Sequence, residues 1–383
     1  MPRPRKRGDA IAVMDFGGYS TRVFYQSTNP SSAPDSFVME APVGAVSQEL
    51  AKSYTDGNLS SAAPENIAWV AVGSECRAVG YLASSQFNAH IGLTGLKYED
   101  AVYKALAAIW VISCRLQLES KFSIELAVML PPGELNDSQQ FFELLSHALK
   151  SYETPTGCLK VKLGTRQAFQ EGSGICAMHC QKLGEAFSKR AIAYMMVGYR
   201  NASVLISARG AVGKGKTSDL GMVRMTELVQ ERTSGYNAAR LTAAIAKADF
   251  NNLSRRHLLP LTRVRNLEQR QKEADQLIEA IKLARSDYAG MLTRWLTEVM
   301  PPDADELVFC GGTAEYLKPE LRDYFSVYPQ SWHGDIEVPQ QLDCHGMGIR
   351  LADAYGAFCY FSSLFAEAVE SQVPIEGKEV VSV

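Results

Sequence analysis

The chain has 383 residues, of which 46% are hydrophobic, 21% charged and 9% aromatic, a globular composition long enough for two domains. Its 39 Lys and Arg against 42 Asp and Glu leave a net charge of −3, which argues against a body built to coat nucleic acid or anionic membrane. Twenty-nine Gly and 16 Pro exclude collagen-like and low-complexity classes. The eight Cys form no C-x-x-C pair and sit mostly in apolar runs, which points to a reducing, cytoplasmic setting without a disulfide framework. Cys176, His179 and Cys180, or Cys344 and His345, are metal-ligand types, but no second spaced pair completes a tetrahedral set. The six His show no ligand or triad spacing.

The chain opens on a basic stretch, Arg3-Pro4-Arg5-Lys6-Arg7, with no apolar core behind it, so residues 1–9 read as a basic arm rather than a signal peptide. No run of 18 apolar residues occurs anywhere. Ile11–Asp15 and Thr21–Tyr25 are apolar runs flanking Gly17-Gly18, the pattern of a β-hairpin. Residues 29–60 carry Ser, Pro, Asp and Gly and read as loop. Ile67–Val72 and Phe122–Leu130 read as strands, the second stopped by Pro131-Pro132-Gly133. Val102, Leu106, Ile109 and Ile112 share one helical face in 98–118, and 138–149 is also helical.

About 180 residues after the first hairpin the pattern returns, as Ala191–Val197, the turn Gly198–Asn201, and Ala202–Ser207. Helical patterns follow at 219–233, 237–248 and 266–298. Leu307–Cys310 is a strand running into Gly311-Gly312-Thr313, and 343–366 opens on a Gly-rich turn and ends in an apolar helix. Strands alternating with helices define an α/β protein.

Two segments compete as phosphate sites. Gly210–Thr217 matches G-x-x-x-x-G-K-[ST], which needs a strand before it and a helix after it to cradle phosphate. The other site is dispersed. Asp15-Phe16-Gly17-Gly18-Tyr19-Ser20-Thr21-Arg22 puts an acid, two glycines, two hydroxyls and a cation on one hairpin. There Gly17 and Gly18 admit a phosphate chain to the backbone, Arg22 opposes Asp15 and neutralises phosphate charge, and Asp15 can hold magnesium through water. The Gly198 turn can embrace the phosphates from the other side. Gly311 and Gly312 can lie flat on an adenosine, and Glu171 in Phe169–Gly174 can orient or deprotonate a water.

In this order the segments resemble the actin-like ATPase superfamily, over roughly residues 10–370, and within it the ParM/StbA plasmid-segregation actins. Asp15–Arg22 resembles the first phosphate motif, usually D-x-G-x-x-x-T-K. Phe169–Gly174 resembles the connecting segment with the catalytic Glu or Gln, Leu307–Glu315 the adenosine motif, and Gly346-Met347-Gly348 the second connecting segment. The spacing around Glu171 and Ser218-x-Leu220-Gly221 is similar to the ParM branch.

The resemblance implies an actin-like (ribonuclease H-like) two-lobed fold with a nucleotide cleft between the lobes. The implied lobe I is 10–165 with a small subdomain near 30–95, and lobe II is 166–340 with a small subdomain near 210–290. Residues 341–370 would return to lobe I, and 371–383 would form a tail. It implies ATP or GTP with Mg, held by Asp15, Gly17, Gly18, Tyr19, Ser20, Thr21, Arg22, Gly198, Tyr199, Asn201, Gly311, Gly312 and Thr313. Asp15 would be the magnesium residue, and Glu171 with Asp15 the catalytic pair. Head-to-tail polymerisation follows, with an adaptor protein joining the filament to DNA or another cargo. Direct nucleic-acid binding is expected only through Arg3–Arg7, and 89–103 is a second partner segment.

One departure weakens the hydrolytic side. The second phosphate motif, usually D-[IL]-G-[GYS]-x-T-[TY]-D, reads here Met196-Val197-Gly198-Tyr199-Arg200-Asn201-Ala202-Ser203, with Met196 in place of the first Asp. Nucleotide binding is therefore favoured over fast hydrolysis. A small-substrate kinase of the same superfold and a P-loop NTPase using Lys216 are the alternatives.

Overall fold

A computed structural model describes residues 8–29, 32–56, 62–87, 89, 97–247 and 255–371. The basic arm Arg3–Arg7, residues 90–96 of the partner segment 89–103 and the tail 372–383 lie outside them. The chain divides into two compact units, unit 1 of Met1–Gly184 with Asp335–Val383 and unit 2 of Glu185–Gly334.

Unit 1 is built on a nine-stranded sheet of order β3-β2-β1-β7-β9-β8-β5-β6-β4. Its strands are β1 Ala10–Phe16, β2 Ser20–Ser27, β3 Asp35–Glu40, β4 Val43–Ala45, β5 Trp69–Val72, β6 Glu75–Val79, β7 Lys121–Leu130, β8 Tyr152–Thr154 and β9 Gly157–Gln170. Its helices are α1 Gln48–Asp56, α2 Tyr81–Gln86, α3 Lys97–Arg115, α4 Ser138–Ala148, α5 Ser173–Leu183 and α12 Ala352–Ser371.

The central strand β1 is apolar on both faces because both are covered. Ala10, Ala12, Met14 and Phe16 enter one core with Leu106, Ile109 and Ile112 of α3 and Phe141 and Leu145 of α4. Ile11 and Val13 enter another, with Met129, Phe169 and Phe358 and Phe361 of α12. The period-two alternation therefore puts Asp15, like Val13, on the α12 side. A smaller cluster around Trp69, Ala51 and Leu82 lies under β5, β6 and α2.

Unit 2 carries a six-stranded sheet with the path β12-β11-β10-β14-β15 and β13 on β11. These are β10 Ala191–Val197, β11 Ala202–Ala208, β12 Ala211–Val212, β13 Lys216–Ser218, β14 Glu306–Cys310 and β15 Gln330–Trp332. Its helices are α6 Met222–Arg232, α7 Ala238–Lys247, α8 Arg255–Leu258, α9 Leu267–Val299, α10 Gly312–Tyr316 and α11 Lys318–Tyr324. Asn266 caps the 33-residue α9 by accepting from the backbone N–H groups of Glu268 and Gln269. Inside the unit Arg285, 1% exposed, grips both Glu320 carboxylate oxygens at 2.5 and 2.8 Å and the Tyr316 carbonyl at 2.6 Å. A buried cation on this scale needs that full set of acceptors.

Three features depart from the sequence reading. Residues 29–60 are not loop-dominated, since β3, β4 and α1 lie there, too short and too polar to show a period. The change of unit falls at Gly184, not near 165, because β9 runs parallel to β7 through Gln170 and α5 then packs on α12. The return falls at Gly334–Asp335, in a stretch where His333, Gly334 and Asp335 all have positive φ (56°, 62° and 50°).

Candidate functional site

The two hairpins are built to the same register. In the first, Phe16 pairs Thr21 and Asp15 pairs Arg22. In the second, Val197 pairs Ala202 and Met196 pairs Ser203. Each inner strand also lies parallel to one further strand, with Asp15 beside Met129 and Met196 beside Cys310. The duplication read from the sequence is thus a duplication of strand pairing. Met196 stands where Asp15 stands, so the second hairpin has no carboxylate to offer.

In unit 1, Asp15 is 6% exposed and its carboxylate is ion-paired with Arg22. The turn between them is tight. A Cβ on Gly17 would lie 2.8 Å from the Ser20 carbonyl and 3.3 Å from the Arg22 guanidinium. Gly18 is half-buried and Tyr19 is 50% exposed. Ser20 Oγ, Thr21 Oγ1 and Arg22 Nε are buried without a hydrogen-bond partner among the described residues. Buried polar atoms of this kind are costly unless something supplies their partner.

Glu171 follows β9 directly. Its N–H donates to the Leu130 carbonyl at 2.9 Å, at the end of the strand that neighbours β1. Gly172 (φ 94°) then turns the chain into α5. The N-terminus of α5 is capped from a distant part of the chain, because Asp353 accepts from Gly172 N–H at 2.7 Å and Ile175 N–H at 3.1 Å. Burial pushes the Asp353 carboxyl up to about 7, the two backbone bonds oppose this, and the charges of Asp15 and Glu171 add to it. The charges of Asp15 and Glu171 are thus both felt at Asp353. Asp353 escaped the sequence reading. Its signal was an acid in the first turn of a helix that then runs apolar through Phe365 but for two serines.

The segment Gly346-Met347-Gly348 is a turn held by Asp343, whose carboxylate accepts from Met347 N–H and Gly348 N–H at 2.7 Å each. It leads into α12 and so to Asp353.

In unit 2 the Gly198 turn and the Gly311 turn touch. Thr313 Oγ1 donates to the Gly198 carbonyl at 2.8 Å, and a Cβ on Gly311 (φ 95°) would lie 2.4 Å from the Val197 carbonyl. Gly312 opens α10. The same turn is closed by α6, whose Met222 and Val223 N–H groups donate to the Gly198 and Tyr199 carbonyls at 3.1 and 3.0 Å. Asn201 accepts from Gly198 N–H through its carbonyl at 2.9 Å.

The P-loop reading fails on geometry. Its residues fold back on β11 as β12 and β13, with Ser207 opposite Val212, Ser203 opposite Thr217 and Val204 opposite Lys216. Their backbone groups serve a sheet edge, and the next helix starts only at Met222. The strand–loop–helix that aims free N–H groups at phosphate does not exist here. All eight Cys are free thiols. Among the described residues no group of three or more His, Cys, Asp or Glu is arranged to hold a metal.

No protein-family model matches the chain, and no curated protein matches it in sequence. Solved structures do match, and they define the class: the chain has the actin-like α/β fold in its ParM-type form. It is similar to the 15-stranded ParM filament from Clostridium botulinum, at TM-score 0.57 and 12% identity over 93% of this chain and 100% of that one. It is also similar to the AlfA filament of Bacillus subtilis plasmid pLS32, at TM-score 0.55 and 13% identity over 91% and 98%. A third is Bacillus thuringiensis ParM with ATP, at TM-score 0.55 and 11% identity over 95% and 100%. The fold is thus one that other proteins use to build filaments. Among the described residues no helix is long and apolar enough to cross a membrane.

Proposed function

We propose that this chain binds a nucleoside triphosphate, ATP in the first instance, and polymerises head to tail under its control. The observation that carries the reading is the pair of buried, partnerless polar atoms Ser20 Oγ and Arg22 Nε beside the Gly17 turn, on the sheet face that also carries Asp15, where phosphate oxygens would satisfy them. Residues 17–22 would bind the phosphates, with Arg22 turning from Asp15 toward them. Gly198, Tyr199 and Asn201 would assist, and Gly311, Gly312 and Thr313 would take the adenosine.

A magnesium ion fits one carboxylate plus phosphate oxygens, and Asp15 is the residue that would hold it through water. Bound there, the ion would neutralise phosphate charge. Glu171 would orient or deprotonate the attacking water. With Met196 in the second hairpin, hydrolysis runs on fewer carboxylates and is expected to be slow. A heterologous contact between copies does not close, so it makes filaments, and hydrolysis loosens them. An adaptor would join the filament to DNA or another cargo.

Support for polymerisation comes from neighbours solved as filaments, and for nucleotide from the B. thuringiensis ParM structures with ATP and AMPPNP. High-speed sedimentation with ATP, ADP and a non-hydrolysable analogue, followed by negative-stain imaging, tests it. Pelleting with ATP or the analogue and little with ADP is the expected result. A protein that stays in the supernatant at every nucleotide and concentration overturns it.

A further inference from the structure

A shallow, open recess of about 410 Å³ lies in unit 1, and Lys121, Lys150, Lys160, Lys162 and Asp9 line it. Strand register builds it. In the parallel pair β7–β9, Lys121 lies opposite Lys160 and Ser123 opposite Lys162, so the three lysines share one face of the sheet. Lys150 joins them because the Val161 N–H donates to the Leu149 carbonyl at 2.8 Å.

Like charges directly opposite each other in a sheet cost stability, and none of these four lysines has a carboxylate partner among the described residues. The one acid in the lining is already used: Asp9 accepts from the N–H and Oγ of Ser123 at 2.7 and 3.0 Å. Four lysines less one aspartate leave +3 in this recess, on a chain whose total is −3. In sequence, Arg3-Pro4-Arg5-Lys6-Arg7 immediately precedes Gly8, which is pinned by N–H donation to Glu125 at 3.0 Å and by Thr28 Oγ1 donating to its carbonyl at 2.7 Å.

We propose that this face binds the phosphate backbone of duplex nucleic acid, without reading bases. The apolar residues of the lining, Phe122, Leu149 and Val161, are 7%, 0% and 6% exposed, so no side chain is offered for insertion into a lipid layer. What remains is a surface of net charge +3, four lysines against one aspartate, the chemistry that neutralises a row of phosphates.

The site is independent of the nucleotide reading, and so is its test. The full chain, without nucleotide, is titrated against a fluorescent duplex of about 20 base pairs of mixed sequence, from about 50 to 200 mM salt, by anisotropy. Affinity should fall with salt at about 0.9 log unit per phosphate engaged, and a second sequence should bind equally. Changing Lys121, Lys150, Lys160 and Lys162 together to Gln should weaken binding at least ~10-fold and flatten the salt slope by roughly 3.6 units, about 0.9 for each of the four. The same four changed to Arg should restore both, which separates charge from folding. ATP-dependent pelleting should be the same for all three proteins. Unchanged affinity in the Gln variant overturns the proposal. So does binding that is lost only when the arm residues Arg3, Arg5, Lys6 and Arg7 become Gln, or binding to phosphatidylserine vesicles but not to duplex.

Discussion

The carboxylate of Asp353 receives the N–H of Gly172 at 2.7 Å, although 181 positions separate them. This bond ties α12, the last helix among the described residues, to the residue after Glu171. It also makes a buried acid the N-terminal cap of α5, so helix packing and the candidate catalytic residue share one contact.

A pH dependence follows. The folded-state value of Asp353, about 7, lies above the ordinary 3.8, chiefly because burial disfavours the charge. The contribution of this group to stability is therefore complete below about 4, is lost as pH rises toward 7, and is level above that. Asp353→Asn removes the titration. The stability difference between parent and Asp353→Asn, from urea midpoints, should move against the parent between about pH 4 and 7 and stay level above that. A difference that stays constant would remove Asp353 as a titrating group.

Two glycines test the α5–α12 crossing. A Cβ on Gly174 would lie 1.9 Å from the Asp353 carbonyl, and one on Gly356 would lie 2.4 Å from the Gly174 carbonyl. Both contacts are backbone, so neither can yield by a rotamer change. Gly174→Ala should cost about 3 kcal/mol or more. Gly290→Ala on α9 meets nothing within 4 Å and should stabilise by about 1 kcal/mol through helix propensity. Denaturant unfolding of the two variants measures both signs.

The competing phosphate sites are separated by one pair of variants. Asp15→Ala should abolish nucleotide-dependent pelleting, because it removes the acid of the first hairpin. Lys216→Ala should leave it intact, since Lys216 lies in a sheet-edge strand opposite Val204. Loss of nucleotide binding in Lys216→Ala alone would reverse the assignment.

Glu171→Ala should slow phosphate release by about 100-fold or more, the scale of a lost general base, while filaments still form and last longer. Phosphate release and turbidity followed together read the two effects. Equal turnover in the variant would take Glu171 out of the chemistry.

Local pattern made much of this protein legible. Apolar runs around Gly17-Gly18 and Gly198 marked both hairpins, and their observed registers place Met196 opposite Ser203 as Asp15 is placed opposite Arg22. The 3.6-residue spacing in 98–118 and 266–298 marked α3 and α9 because long amphipathic helices carry their period in the chain itself. The sequence also contained a misleading signal, Gly210–Thr217. A phosphate-loop pattern is a statement about composition, and only pairing with β11 settled what its backbone does.

Tertiary structure alone decided the rest. Nothing near Asp353 in the chain says that it caps α5, because the partner N–H groups lie in residues 172 and 175 and the helices meet only on folding. The four lysines of the basic recess are spread over 42 positions and look, one by one, like solvated surface side chains. Local order is legible from sequence because its interactions lie within a few residues. Sites made by sheet register and helix crossing are not, since their geometry exists only once distant segments share one core.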